Sequence, residues 1–173
     1  MLFVEADEIA PNLWQGSYPG TGTAVKASGF SMLVLCAEEF QDPAEDFPGV
    51  EVVHAANYDD GQHNLTPELL TVAVTAAHRV KDAVEKGRKV LVTCRMGINR
   101  SGLVTAFALH LIYGWAGAAC VARVKKMRHR YQGFEPLHNW EFVSALKRLP
   151  ARSQVKEVPP DWQQTPSGLI VPV

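Results

Sequence analysis

The chain is poor in the residues that mark metal, disulfide or membrane proteins. Only three of its 173 residues are cysteine, at positions 36, 94 and 120. Their spacing fits no metal motif and an odd number cannot fully pair, so neither a metal site nor a disulfide framework is expected. Such cysteine usage suits a reducing compartment, and the cytoplasm is the expected location. No apolar run reaches the ~18 residues of a membrane span, and the opening Met-Leu-Phe-Val-Glu-Ala-Asp-Glu carries no basic segment. Neither membrane insertion nor a secretory leader is expected. Internal repeats and low-complexity runs are also missing.

What is present is ordinary for one globular domain: 47% hydrophobic and 20% charged residues, with a net charge of −1. The charge is unevenly spread. Residues 1–60 hold eleven Asp/Glu and one Lys, a balance of −10, and the remaining seven Asp/Glu and sixteen Lys/Arg give +9. Either the basic part surrounds an anion site, or the charges form solvated helix faces and intramolecular pairs. The basic run Arg123-Val-Lys-Lys-Met-Arg-His-Arg130 has no interleaved aromatics for stacking on bases, and it reads as a positively charged helix end. No nucleic-acid partner is expected.

Residues 90–102, Val-Leu-Val-Thr-Cys-Arg-Met-Gly-Ile-Asn-Arg-Ser-Gly, hold most of the functional information. An apolar strand ends on Cys94, Arg100 and Ser101 follow on one tight loop, and a long apolar helix begins. Such an arc turns successive backbone N–H groups onto one point and makes a nest for an anion. The following helix adds its free N–H groups and the positive end of its dipole. Arg100 supplies a planar fork for two phosphate oxygens, and the same field favours Cys94 as a nucleophilic thiolate. Gly97 suits a sharp turn or a positive φ. Ser101 can donate to the sulfur. Arg95, Met96, Gly97, Ile98 and Asn99 offer their amides to the phosphate, and Asn99 is also a candidate either to brace the loop or to accommodate a left-handed turn. Cys36 and Cys120 read as core residues.

Elsewhere, Met32–Cys36 and Val50–His54 read as strands. Thr66-Pro67-Glu68 opens a helix, with Thr as cap and Pro in the first turn, that runs to Lys86 and stops at Gly87. Lys89–Thr93 reads as the strand entering the loop. Leu103–Tyr113 is apolar on nearly every side and is expected as a buried helix ended by Gly114. Helices follow at Ala116–Arg130 and Asn139–Leu149. The fold class expected is α/β, a central, largely parallel sheet flanked by helices. Residues 1–149 are expected to form the catalytic domain and 150–173 an extended Pro-rich tail, with a possible edge strand at Gly168–Val171.

The Cys94 loop resembles that of the cysteine-dependent protein tyrosine phosphatases, in particular their dual-specificity branch. Ile9–Ser17 resembles the opening strand of those domains. The segment Asn57-Tyr-Asp-Asp-Gly-Gln-His-Asn-Leu65 resembles their general-acid loop, and Val124–Arg128 with Trp140-x-Phe142 resembles their closing helices. The resemblance covers residues 9–148. One departure stands out: Thr93 occupies the place where the family usually has His before the nucleophile. The resemblance implies hydrolysis of phosphate monoesters through a cysteinyl-phosphate intermediate. Phosphotyrosine and phosphoserine or phosphothreonine in proteins are the expected substrates, and a phosphoinositide, an RNA 5′-phosphate or simple phospho-binding are the alternatives. It also implies Cys94, Arg100, Ser101 and an upstream aspartate as catalytic residues. Asp59 is preferred to Asp60 as the acid, counting back from Asn64-Leu65. A monomer is expected.

Overall fold

The computed structural model describes residues 4–60, 65–129 and 132–162. Five strands form one sheet: β1 (Ala6–Ala10), β2 (Leu13–Ser17), β3 (Met32–Ala37), β4 (Glu51–Asn57) and β5 (Val90–Cys94), in the order β1-β2-β5-β3-β4. β1 and β2 pair antiparallel, and β2, β5, β3 and β4 run parallel. The α/β fold read from the sequence is therefore the one observed. β5 lies at the centre, so the chain leaves the middle of the sheet at its C-terminal edge, where ligands collect in open α/β sheets.

The opening segment differs from the sequence reading. It is not one strand but two, because Asn12 takes a left-handed turn at φ 64° and reverses the chain. A short helix α1 (Gly22–Ala27), capped by Thr21, was also not anticipated. The other helices are α2 (Pro67–Glu85), α3 (Arg100–Tyr113), α4 (Gly117–Met127) and α5 (Trp140–Lys147). The Thr66 side chain caps α2, and Gly87 takes positive φ behind it. α3 ends on Gly114 in the left-handed region.

Alternation along the strands divides the core into two layers. Leu33, Leu35 and Leu91 face α1, Trp14 and Phe30 on one side of the sheet. Val34, Cys36, Val92 and Cys94 face the helical layer on the other. Within that layer α3 is buried on nearly all sides, as its uniformly apolar sequence requires. This placement anchors the Cys94 loop at both ends in the core.

Residues 150–162 contain no helix or strand, yet they lie against the domain. The amides of Arg152 and Lys156 donate to the carbonyls of Gly114 and Tyr113, and Trp115 Nε1 donates to the Lys156 carbonyl. A side chain on Gly114 would stand 2.0 Å from the Gln154 carbonyl oxygen, so this close approach also requires glycine there. The edge strand expected at Gly168–Val171 falls outside the described residues. No helix among the described residues is long and apolar enough to cross a membrane.

Part of the uneven charge is paired within the fold. Arg128 bonds Glu5 and Asp7, Arg100 bonds Glu39, and Arg79 and Arg88 bond Glu51. Each joins the basic later part of the chain to its acidic first third. Arg128 is thus no exposed helix-end charge, as its place in a basic run suggested. It is a buried cation between buried and half-buried carboxylates.

Candidate functional site

The loop from Cys94 to Arg100 joins β5 to α3, and its carbonyls are held from outside. The Arg95 carbonyl accepts from the Tyr18 amide at 3.4 Å, and the Met96 carbonyl from Arg128 Nη2 at 3.3 Å. Gly97 accepts from both Arg128 Nε and Gln15 Nε2, each at 2.9 Å. The Ile98 carbonyl accepts from the Leu137 amide at 3.3 Å, and that of Asn99 from Leu103 within α3. In a planar trans peptide the next N–H points opposite to the carbonyl. Carbonyls drawn outward at 95–98 therefore turn the amides of 96–99 toward the opposite, concave side of the loop. The free N–H groups of the first turn of α3 join them.

Gly97 takes φ 68°, as expected, and a side chain there would stand 2.4 Å from the carbonyl carbon of Gly16. The missing side chain at Gly97 thus lets the loop settle on the Gly16–Ser17 backbone at the end of β2. Asn99, by contrast, is in the right-handed region at φ −94°, so a left-handed turn is not its role. Its side chain faces Asp59 and the start of α5.

Cys94 forms the floor of a cleft of about 690 Å³ whose walls include Glu38, Glu39, Tyr58, Asp59, Arg95, Met96, Ile98, Asn99, Arg100, Phe134 and His138. Cys94 is 4% exposed, and its Sγ lies 3.3 Å from Ser101 Oγ. Thr93, in the place of the family's His, donates from Oγ1 to the Val34 carbonyl at 3.0 Å and so stitches β5 to β3.

Arg100 is 8% exposed, and its Nη1 and Nη2 grip Glu39 at 2.5 and 2.8 Å. Its buried Nε–H has no hydrogen-bond partner among the described residues. An unpaired buried donor is costly, and this one borders the cleft, where an oxyanion would satisfy it. Burial works against the Arg100 cation, but Glu39, with Cys94 and Asp59, outweighs it and raises its pKa above the ordinary guanidinium value. The same pair holds the Glu39 carboxyl below the usual carboxylate value. Sequence reasoning missed Glu39, because nothing in Ala37-Glu38-Glu39 marks it apart from other surface acids.

Asp59 follows β4 and is half-buried in the cleft wall, whereas Asp60 is exposed. Residues 61–64 of the expected acid loop lie outside the described residues. Asp59 Oδ2 accepts from Asn99 Nδ2 at 2.9 Å, and Oδ1 accepts from Asn139 Nδ2 at 2.8 Å. The site thus gathers the end of β4, the β5–α3 loop and the start of α5. All nine residues expected in the site lie on or beside the cleft: Cys94, Arg95, Met96, Ile98, Asn99, Arg100 and Asp59 line it, and Gly97 and Ser101 stand behind. Among the described residues no group of His, Cys, Asp or Glu side chains is placed to hold a metal ion.

The sheet order and flanking helices give the fold seen in solved dual-specificity and tyrosine phosphatases. Among solved structures the chain is similar to human DUSP28, with 24% identity over 82% of this chain and 92% of that one and a TM-score of 0.64. Tk-PTP in its active form matches at 21% identity, covering 83% and 96%, with a TM-score of 0.65. The PTP-2 phosphatase of Cydia pomonella matches at 17% identity, covering 83% and 89%, with a TM-score of 0.62. No protein-family model and no curated protein sequence matches the chain.

Proposed function

We infer that the protein is a cysteine-dependent phosphatase that hydrolyses phosphate monoesters. The observation that carries this reading is the set of outward-held carbonyls at 95–98, which turns a ring of amides over the Cys94 sulfur beside the unpaired Arg100 Nε–H. In the cycle proposed, Cys94 thiolate attacks phosphorus and forms an S–P bond. The P–O bond to the leaving group breaks, and Asp59 gives its proton to the departing oxygen. Water then attacks phosphorus, returning a proton to Asp59, and the S–P bond breaks with Ser101 donating to the leaving sulfur. Arg100 and the amides of the loop hold the equatorial oxygens through both steps.

The cleft wall favours a monoester on a protein over a polyanion. Glu38, Glu39 and Asp59 stand there against Arg95 and Arg100, and Glu39 is committed to Arg100. A phosphoinositide or an RNA 5′ end would bring further negative charge against these carboxylates, whereas a phosphorylated side chain between neutral or basic neighbours would not. The cytoplasm remains the proposed location and a monomer the proposed state.

The test compares wild type with Cys94→Ser on an aryl phosphate, a phosphotyrosine peptide, an inositol phosphate and triphosphate RNA. Wild type hydrolyses the aryl phosphate and the peptide, and Cys94→Ser does not. Preferred turnover of the inositol or RNA substrate would overturn the protein-substrate assignment. Equal activity of Cys94→Ser, or none in wild type, would overturn the reading of the enzyme.

A further inference from the structure

We propose that Asn139 is a positioning residue for the acid step, one half of an amide clamp with Asn99 that aims the Asp59 carboxyl at the leaving oxygen. The inference rests on the reading of Asp59 as the proton donor.

The clamp follows from hydrogen bonds that fix which end of each amide faces which way. Asn139 Oδ1 is occupied by the amides of Glu141 at 3.0 Å and Phe142 at 3.3 Å, as the N-cap of α5. With its oxygen committed to the helix, its Nδ2 must face outward, and there it donates to Asp59 Oδ1. Asn99 Oδ1 is likewise occupied by the amides of His138 and Asn139 at 3.0 and 3.1 Å. Its Nδ2 is left to face Asp59 Oδ2, with His138 Nε2 3.1 Å away as a second acceptor. Rotating either amide would set a donor against a donor and a carbonyl oxygen against a carboxylate.

Both asparagines are deeply buried, at 5% and 3% exposure, while Asp59 stands at the cleft. A buried amide donor thus reaches each of the two carboxyl oxygens. A rim carboxylate on a loop would otherwise lose rotamer freedom each time it is used. The clamp also spans the whole site, since Asn99 belongs to the phosphate loop and Asn139 starts α5. The loop that holds the phosphorus and the group that protonates the leaving oxygen are therefore set in one frame, which proton transfer at hydrogen-bond distance requires.

The test exploits the leaving group. Asn139→Ser keeps a helix-capping oxygen but withdraws the donor from Asp59, and a thermal melt verifies that it folds. kcat/KM is measured for phenyl phosphate, whose departing oxygen needs a proton, and for dinitrophenyl phosphate, whose oxygen does not. For phenyl phosphate the expected fall is about 10- to 100-fold, with little change for dinitrophenyl phosphate. In an Asp59→Asn background the same substitution should cost nothing further. Equal losses on both substrates, or a further full loss in the Asp59→Asn background, would overturn the clamp and leave Asp59 as the acid. If Asp59→Asn itself spares phenyl phosphate, the acid assignment fails, and the clamp with it.

Discussion

The two sides of the cleft are built differently. The Cys94 loop is held by its own strand and helix and by buried groups beneath it: Gln15, Arg128 and the Gly16–Gly97 contact. The Asp59 corner is a composite of three chain segments joined through the side-chain amides of two buried asparagines. The proposed anion site is thus part of the core, whereas the proposed proton donor stands at its rim. Changes beneath the loop should cost both stability and binding, and changes to Asp59 should cost chiefly rate.

The largest effect expected is on the corner side. Asp59→Asn should lower kcat/KM for phenyl phosphate by about 10²- to 10⁴-fold and for dinitrophenyl phosphate far less, with a smaller fall in melting temperature than changes beneath the loop. A loss of stability as large as theirs would erase the contrast between the two sides. Arg128→Ala is the counterpart beneath the loop. It leaves Asp7 buried without the Arg128 cation, frees the Met96 carbonyl and removes one of the two donors to the Gly97 carbonyl. Unfolding by denaturant should show a loss of about 3–5 kcal/mol, as for other broken buried pairs. Gly97→Ala comes next. Its positive φ and the approach to Gly16 predict about 1–3 kcal/mol of destabilisation, together with weaker phosphate inhibition of turnover.

Glu39→Gln gives the smallest effect and sharpens the comparison by pH. Arg100 lowers the Glu39 pKa, so the pair contributes stability above the ordinary carboxylate value and loses it as pH falls through the lowered folded value. The stability gap between wild type and Glu39→Gln should therefore be constant from about pH 7 to 5 and close in more acidic buffer. A gap that widened in acid would contradict the pairing.

The same division explains how much was legible in the sequence. The Cys94 loop, the Thr66 cap of α2 and the Gly114 stop of α3 rest on neighbouring residues, so local pattern was enough. The β1–β2 hairpin was not recognised because its turn depends on Asn12 in a left-handed conformation within Pro-Asn, without a glycine to mark it. Glu39, Gln15 and Asn139 act on partners far along the chain, 61, 82 and 80 residues away, and carry no local signature. Arg128 sat in a basic run that resembled a helix end. The opposite charges of the two parts of the chain were the one available sign of its pairing with Glu5 and Asp7.

In the proposed site, inward amides and Arg100 gather an oxyanion above Cys94. Titration calorimetry of the wild type and of Arg100→Ala with tungstate, a tetrahedral oxyanion, tests it most directly. One tungstate should bind per wild-type chain, and binding should weaken at least about 100-fold in Arg100→Ala. No binding to the wild type, or equal binding to both proteins, would contradict it.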